Sequence, residues 1–263
     1  MPVRTKPYKF SSAGLTDVGL VRANNEDVWG QIPKKHFYVI ADGMGGHQAG
    51  EVAAREAVSL LCDYVTKNLD QSDDEISLEE ARHLVIESIE ESNAHVYKMS
   101  RTDSDLRGMG TTICCLLFHP KGLIYGHVGD SRIYRLRNKR LFQMTKDHSL
   151  MRELLDLGQL GEKHSADFQY RNIITKAVGT ESTVEPSVRI SPISADDLYL
   201  LCTDGLSDML SRDEMESILN THTTLPKLAQ GLIQAAKNKG GQDNITVVLV
   251  KVQEEHGSKD LSR

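Results

Sequence analysis

The sequence predicts an α+β protein in which two packed sheets, mainly antiparallel, are flanked by helices. Short apolar runs bounded by glycine, proline, asparagine or aspartate recur along the chain and are typical of buried strands. Long amphipathic stretches come in pairs between these runs, and this order favours sheets with helices on their outer faces. The 263 residues contain no repeat, linker or change in composition. We therefore expect one domain over residues 1–253 and a polar, frayed tail over 254–263.

The N-terminal third contains the stretch around which the chain is organised, an acidic strand end followed by glycines. Residues 11–29 alternate roughly between apolar and polar and predict a strand or a hairpin. The apolar run 37–41 predicts a strand buried on both faces, and it ends at Asp42. Three glycines within the next four positions allow positive φ and a close approach of the backbone to a ligand. Residues 51–65 then predict an amphipathic helix.

The middle of the chain predicts a long helix and an antiparallel meander. Residues 77–80 read Ser-Leu-Glu-Glu, a capping box that opens a helix with a regular apolar stripe. Residues 113–118 and 123–128 predict two strands joined by a tight turn. A further strand over 133–136 is expected to continue the meander, with Asp130 at one of its corners.

The C-terminal half contains a third acidic strand end. The buried strand predicted over 198–203 ends directly in Asp204. Residues 161–173 are polar without a clear period and predict a surface flap, and two prolines in 185–193 indicate a loop with an edge strand. The remaining predicted elements are helices over 150–155, after Ser211 and over 225–237, and a last strand over 245–252.

Composition and charge exclude several classes of protein. The formal net charge of −6 argues against a sequence-independent nucleic-acid binder. No run of about eighteen apolar residues is present to span a membrane, and residues 1–9 lack the apolar centre of a signal peptide. The four cysteines show no Cys-x-x-Cys spacing, and three of them lie in apolar, strand-like runs. We therefore expect a cytoplasmic protein that binds neither nucleic acid nor membrane.

Four carboxylates stand at the ends of apolar strands, and together they indicate a cation site. They are Asp42, Asp130, Asp204 and Asp243. For any one of them alone a turn former is the favoured interpretation, because Asp and Gly dominate turns. Unpaired carboxylates gathered at strand ends would repel one another and be partly desolvated, so a bound cation is the simpler explanation for all four.

The types of ligand favour a hard divalent ion and hydrolytic chemistry. No histidine or cysteine joins the four carboxylates, and an oxygen shell completed by water suits Mg²⁺ or Mn²⁺ better than zinc. A carboxylate able to bridge, such as Asp42, could hold two ions about 3.5–4 Å apart and acidify the water between them. Arg22 could bind a phosphate by paired N–H bonds. The chain has no Walker-type loop for a nucleotide.

Six motifs, taken in order, resemble the signature blocks of the metal-dependent protein phosphatases of type 2C. They are Arg22-x-x-Asn25-Glu26-Asp27, Ala41-Asp42-Gly43-Met44-Gly45-Gly46-His47, Met109-Gly110-Thr111-Thr112, Gly129-Asp130-Ser131-Arg132, Thr203-Asp204-Gly205 and Gly241-Gln242-Asp243-Asn244. Each motif alone is weak, but the resemblance extends over about residues 14–252. The Asp-Gly-Met-Gly-Gly-His form and the compact length resemble the bacterial branch.

The resemblance implies a fold and a metal centre. The fold would be a four-layer α-β-β-α sandwich with metals in a cleft at one end of the two sheets. Asp42, Asp204 and Asp243 would bind the first Mn²⁺ or Mg²⁺, and Asp42 with the carbonyl of Gly43 would bind the second. Asp130 with Asp204 would form a third, weaker site.

The resemblance also implies roles around the metals. Asp27 would hold metal-bound water with Glu26 nearby, and Arg22 would bind the substrate phosphate. In animal members a histidine directly follows the Asp-Gly pair and is proposed to protonate the leaving oxygen. Here three residues intervene before His47, so two interpretations stay open, the general acid and a polar residue at a helix start. His127 and His148 are interpreted as structural.

We therefore expect a phosphoserine/phosphothreonine protein phosphatase that opposes a bacterial Ser/Thr kinase. Its partners would be phosphorylated proteins, and we expect a monomer whose variable flap, about residues 145–180, selects substrates. One alternative is a phosphatase for a single regulatory protein. Another is an inactive member that only binds a partner, which is disfavoured by the presence of Asp27, Asp42, Asp204 and Asp243.

Overall fold

The computed structural model describes residues 8–45, 49–71, 76–161, 170 and 173–254. The strands are β1 (Tyr8–Asp17), β2 (Asp27–Ile32), β3 (Phe37–Met44), β4 (Gly110–Thr111), β5 (Ile113–His119), β6 (Gly122–Val128), β7 (Arg132–Arg137), β8 (Arg140–Gln143), β9 (Ser187–Ser191), β10 (Leu198–Cys202) and β11 (Ile245–Glu254). The helices are α1 (Ala49–Gln71), α2 (Leu78–Thr102), α3 (Leu150–Asp156), α4 (Asp204–Ser207), α5 (Arg212–Leu219) and α6 (Leu225–Asn238).

The strands form two antiparallel sheets, which confirms the predicted α+β class. In the described residues the first sheet has the order β1-β11-β10-β7-β8 and the second has the order β2-β3-β5-β6-β9, with β4 paired to β3. Side chains from both sheets, such as Tyr38 of β3 and Tyr199 of β10, share one buried cluster. The sheets therefore pack face to face.

Helices cover the outer face of each sheet, and this gives the four layers of the expected sandwich. Helices α1 and α2 share a buried cluster with the second sheet. Helices α5 and α6 share another with the first sheet. Both predicted capping boxes are present, with Ser77 and Glu80 at the start of α2 and Ser211 and Glu214 at the start of α5.

The prediction of a possible hairpin over residues 11–29 is wrong. β1 pairs with β11, from Tyr8 opposite Glu254 to Asp17 opposite Ile245, whereas β2 pairs with β3 in the other sheet. The alternating pattern shows that strands are present but does not select their partners. As a result the loop 18–26 crosses between the sheets and carries Arg22 and Glu26 to the edge of the sandwich.

The predicted meander is also only partly right. β5 and β6 form the expected hairpin, but β7 and β8 belong to the other sheet. The chain changes sheet at Gly129, whose φ of +99° is one that residues with a Cβ rarely adopt. Asp130 therefore lies at a crossing between sheets and not at a corner within one.

Several boundaries differ from the predictions. α1 is longer at both ends than the predicted 51–65, β3 continues past Asp42 to Met44, and β11 reaches Glu254 because its end pairs with Tyr8.

Cys114, Cys115 and Cys202 are buried free thiols, as expected. None of the described helices is long and apolar enough to cross a membrane. Three parts of the predictions lie outside the described residues. They are His47, residues 162–169 with 171 and 172 of the predicted flap, and residues 255–263 of the tail.

Candidate metal centre

The crossings between the sheets bring the predicted carboxylates together. Asp27 begins β2 and is the direct partner of Asp42 in the pairing of β2 with β3. Asp204 follows β10, and Asp243 precedes β11, the strand that pairs with β10. All of these carboxylates raise the pKa of Asp42 through their charges, Asp130 included, after the larger effect of its burial. Five acidic side chains therefore share one region.

Asp27 is the most deeply buried member, with only 5% of its surface exposed. Its Oδ2 accepts a hydrogen bond from the Thr203 hydroxyl at 2.8 Å, while its Oδ1 has no partner among the described residues. Burial, together with the charges of Asp204 and Asp243, raises the pKa of Asp27 to about 7 against the opposing hydrogen bond of Thr203. A buried carboxylate oxygen without a donor is costly unless something positive binds it.

The backbone of Asp42 is held in place by two threonines. The Asp42 N–H donates to the Thr112 hydroxyl at 3.0 Å, and its carbonyl accepts from the Thr112 N–H at 2.9 Å. The Thr111 hydroxyl donates to the same carbonyl at 2.8 Å. Thr112 is also within 2.7 Å of the Ser131 hydroxyl, next to Asp130. This network fixes two predicted ligands relative to each other.

Asp130 and Asp204 repeat the pattern seen at Asp27. Each has a buried Oδ1 without a described hydrogen-bond partner. Burial and the charges of Asp204 and Asp147 raise the pKa of Asp130 to about 7. Burial and the charges of Asp208 and Asp243 raise the pKa of Asp204 to about 6. These carboxylates destabilise one another in their charged forms.

Arg22 lies at the mouth of the cluster. Its side chain is 56% exposed, and its Nη2 donates to Oδ2 of Asp243 at 2.6 Å. The loop that carries Arg22 is held against the segment before β11, because the Leu20 N–H donates to the Gly241 carbonyl at 2.8 Å. An exposed guanidinium beside a carboxylate cluster can bind a phosphate whose phosphorus faces that cluster.

Glycines allow the backbone around the cluster to pack closely. A Cβ at Gly43 would lie 2.1 Å from the Gly50 carbonyl oxygen, and a Cβ at Gly50 would lie 2.1 Å from Oε2 of Glu26. Glu26 is thus packed against the start of α1. Burial raises the pKa of Glu26, although Arg22 opposes this shift.

Sequence reasoning gave no role to two residues that organise the cluster. The Asn244 side chain accepts from the Glu26 N–H at 2.8 Å and donates to the carbonyls of Val18 and Asn24. The Thr203 hydroxyl accepts from the Thr246 N–H at 3.0 Å while it donates to Asp27. Both residues directly neighbour a predicted aspartate, and this was the signal available in the sequence.

The donor set fits a hard divalent cation, although it does not form a closed shell. All candidate ligands are oxygens, and three buried carboxylate oxygens lack a partner among the described residues. No three His, Cys, Asp or Glu side chains in the described ranges are arranged so as to hold an ion between them. A hard ion takes water and carbonyl oxygens as well as carboxylates, so side chains need not supply the whole shell. The roles given to single residues therefore stay predictions.

Two of the histidines considered above have structural contacts. The rings of His127 and His148 stack with centroids 4.5 Å apart. His127 Nε2 lies 2.8 Å from the Lys146 carbonyl, and His148 Nδ1 accepts from the Gly129 N–H at 3.2 Å. His47, the candidate general acid, lies outside the described residues.

Comparison with known proteins finds one family over most of the chain. The family model described as Protein phosphatase 2C matches residues 21–246. The serine/threonine phosphatase stp of Listeria monocytogenes serotype 4b (strain F2365) is 38% identical over 250 residues, which cover 94% of this chain and 98% of the relative.

Solved structures show the same similarity. The serine/threonine phosphatase of S. agalactiae is 37% identical, with a TM-score of 0.85 and coverage of 93% of this chain and 100% of that one. The catalytic domain of the serine threonine protein phosphatase PstP, solved with 2 manganese ions, is 34% identical, with a TM-score of 0.81 and coverage of 94% and 100%. The six ordered motifs, the sandwich and these matches together show that the chain belongs to the protein phosphatase 2C family.

Proposed function

We propose that this protein removes phosphate from phosphoserine and phosphothreonine in proteins, by a metal-dependent hydrolysis. The observation that carries the proposal is the cluster of buried carboxylates beside the exposed Arg22, since three of their oxygens have no hydrogen-bond partner in the described part of the chain. Membership of the protein phosphatase 2C family supports the reaction class. The name of the Listeria relative supports serine and threonine as the phosphorylated residues.

The residues proposed to hold the ions are those that the family resemblance implies, and the gathering of their carboxylates in one region supports the proposal. Asp42, Asp204 and Asp243 are proposed to bind the first ion, Asp42 and the Gly43 carbonyl the second, and Asp130 with Asp204 a third. We propose Mn²⁺ or Mg²⁺, and the two manganese ions of the PstP structure support this choice. When bound, such ions would acidify a water and neutralise charge on the phosphate oxygens.

The chain's own residues would position the substrate and move the protons. Arg22 would bind the phosphate oxygens at the mouth and orient the phosphorus for in-line attack by water. Asp27, held by Thr203, would accept a hydrogen bond from that water, with Glu26 beside it. The phosphorus–oxygen ester bond breaks, and the departing serine or threonine oxygen takes a proton from an acid, for which His47 is the candidate. The products are orthophosphate and the free hydroxyl.

A second part of the proposal concerns the setting in which the enzyme works. We propose that residues 1–253 act as one catalytic domain, that the segment 145–180 selects substrates, and that the protein works as a monomer against a Ser/Thr kinase. Its three buried free thiols support a reducing compartment such as the cytoplasm.

The deciding experiment measures hydrolysis of para-nitrophenyl phosphate and of a phosphothreonine peptide by chelator-treated protein. We expect no turnover without added ions, turnover with Mn²⁺ or Mg²⁺, and none in Asp42→Ala. Asp63→Asn, an exposed acid on α1, is the matched control and should behave as wild type. A folded protein that stays inactive with every divalent ion would favour the partner-binding alternative.

A further inference from the structure

A second cavity, of about 260 Å³, lies beside α3 and the edge strand β9. Its walls come from β6, from the segment before α3, from α3 itself, from the segment that carries Lys176 and from β9. None of the residues proposed as metal ligands lines it. The reaction proposed above therefore gives this cavity no role.

Positive charge dominates the lining of this cavity. Four cationic side chains line it, Lys146, Arg152, Lys176 and Arg189. Lys146 and Arg152 share one carboxylate, that of Asp156, at 2.5 and 3.1 Å. Two cations facing one acid leave positive charge in excess.

The charges of the other two cations, Lys176 and Arg189, are neutralised even less by neighbouring acids. The exposed side chain of Arg189 forms no hydrogen bond or ion pair with any residue that the structure describes. Lys176 approaches Glu185 at 3.5 Å, but the Glu185 side chain is 92% exposed, so solvent screens this pair. Glu153 is the one lining acid that no described cation binds.

The remaining acid of the lining, Asp147, does not offset these charges. Its carboxylate accepts three hydrogen bonds from the Arg132 guanidinium, at 2.7–3.1 Å. Arg132 does not line the cavity. Asp147 is therefore neutralised from outside, and the lining keeps a net positive charge.

The Ser187 hydroxyl is a further hydrogen-bond donor at this cavity. His148 Nδ1 accepts from the Gly129 N–H, so the neutral ring carries its proton on Nε2, which lies 3.0 Å from the Ser187 hydroxyl. Nε2 then donates to Ser187, and the Ser187 proton stays free to donate to a ligand. Ser187 and His148 both line the cavity.

The cavity neighbours the metal centre. Asp147 lines both this cavity and a smaller one bordered by Asp130 and Asp204. His148 is bound to Gly129 by two hydrogen bonds, at 3.0 and 3.2 Å, and Gly129 directly precedes Asp130. A substrate with its phosphate at the carboxylate cluster would have neighbouring residues within reach of the cavity, since an extended residue spans about 3.3–3.6 Å.

We propose that this cavity binds a second phosphate group of the same phosphorylated protein segment whose first phosphate is hydrolysed at the carboxylate cluster. The inference rests on the proposed function and names its substrate class, segments with two phosphorylated residues a few positions apart. A phosphate carries about −1.5 to −2 charges and three strong acceptors, which matches the surplus cations and the Ser187 hydroxyl. Free orthophosphate has the same chemistry and is distinguished by the test.

The binding arm uses Mn²⁺-loaded full-length protein, non-hydrolysable phosphonate analogues of the phosphopeptides and isothermal titration calorimetry, so it does not depend on turnover. The probes are the analogues of a singly phosphorylated peptide and of doubly phosphorylated peptides of the same sequence with spacings from about two to about six residues, and inorganic phosphate. We expect one spacing to bind about tenfold more tightly than the single phosphopeptide, the size of one charge-assisted contact. Lys176→Gln/Arg189→Gln should lose this preference.

The matched control removes the same charge elsewhere. Lys98→Gln/Arg101→Gln, on exposed positions of α2, should keep the preference. In the metal-loaded enzyme the preference should appear in kcat/KM and be lost in Lys176→Gln/Arg189→Gln, and turnover of para-nitrophenyl phosphate by wild type serves as the reference for the reaction itself. No turnover of that small substrate by wild type would count against the proposed function alone, because the calorimetry reads the cavity separately.

Two results would overturn the proposal. One is equal affinity of wild type for singly and doubly phosphorylated peptides at every spacing. The other is a preference that survives in Lys176→Gln/Arg189→Gln. If the peptides bind equally but inorganic phosphate binds in a way that depends on Lys176 and Arg189, the cavity takes free orthophosphate and the assignment to substrate is wrong.

Discussion

At the scale of single residues, the candidate centre is a set of negative charges that repel one another. Burial and four neighbouring carboxylates raise the pKa of Asp42, and similar causes raise that of Asp27 to about 7. Arg22 forms an ion pair with this set, through Asp243. Substitution of Arg22 should change catalysis, whereas substitution of His148 should change how stability depends on pH.

Arg22→Ala should raise KM for a phosphopeptide about tenfold, with a smaller fall in kcat. The reason is that a charge-assisted contact to the phosphate is lost in the ground state and is partly strengthened in the transition state. Steady-state kinetics with Mn²⁺ would measure it, and Arg101→Ala is the surface control. An unchanged KM would mean that Arg22 does not bind the phosphate.

His148→Gln should change how stability depends on pH. Burial and the charges of His127 and Lys176 lower the pKa of His148 to about 4, below its value of about 6.5 in an unfolded chain. The unfolded state therefore binds more protons, so this contribution to stability is complete above pH 6.5 and is lost as pH falls toward 4.

Urea unfolding between pH 4 and 7 would test this. The free energy of unfolding of wild type should fall more steeply on acidification than that of His148→Gln, while His222→Gln, at an exposed position, should follow wild type. Parallel curves for wild type and His148→Gln would contradict the prediction.

At the scale of elements, close packing between segments fixes where the carboxylates lie. α4 begins at Asp204, and its next residue, Gly205, lies against the segment that carries Asp243 and Asn244. A Cβ at Gly205 would be 2.0 Å from the Asn244 carbonyl oxygen, which is backbone and cannot rotate away. The spacing between two predicted ligands depends on this contact.

Gly205→Ala should destabilise the protein by about 1–3 kcal/mol or more, because β10 and β11 must shift to admit the methyl group. Gly231→Ala is the matched control within α6, where the nearest atom to a new Cβ is 3.6 Å away. This change should be neutral or stabilise by up to about 1 kcal/mol, since Ala favours a helix more than Gly does. Denaturant unfolding of both variants measures the difference, and equal effects would show that the close approach is not rigid.

At the scale of the whole molecule, two sheets built from interleaved segments place their crossing loops at one edge. The carboxylates come from residues 27 to 243, so an ion bound there would link segments far apart in the chain. Binding to the folded state alone adds stability by mass action. Stability and activity should therefore respond to ions together.

Adding Mn²⁺ to chelator-treated protein at about 100 times its Kd should stabilise the fold by about 2.7 kcal/mol. For a chain of this size that corresponds to a rise in Tm of about 5–10 °C. Asp204→Asn should lose most of this rise and all measurable turnover, because it removes a ligand proposed for two ions. Differential scanning calorimetry with and without Mn²⁺ measures the shift, and an equal rise in Asp204→Asn would refute the metal assignment.

The sequence by itself determined the local features of this protein. Capping boxes at Ser77 and Ser211, the buried strands that lead to Asp42 and Asp204, and the mainly antiparallel two-sheet class could all be predicted. These features depend on periodicity and on residues a few positions apart, which are visible in any window of the chain. The order of six motifs also identified the family correctly.

Only the tertiary structure decided which strands pair and which polar groups meet. The hydroxyl of Thr203 binds Asp27 across 176 positions of sequence, and the supposed hairpin of residues 11–29 divides between two sheets. The cations near Ser187 come together from three separate segments. Alternation specifies that a strand has two faces but not which partner covers its edges, because that choice depends on where the connecting loops cross.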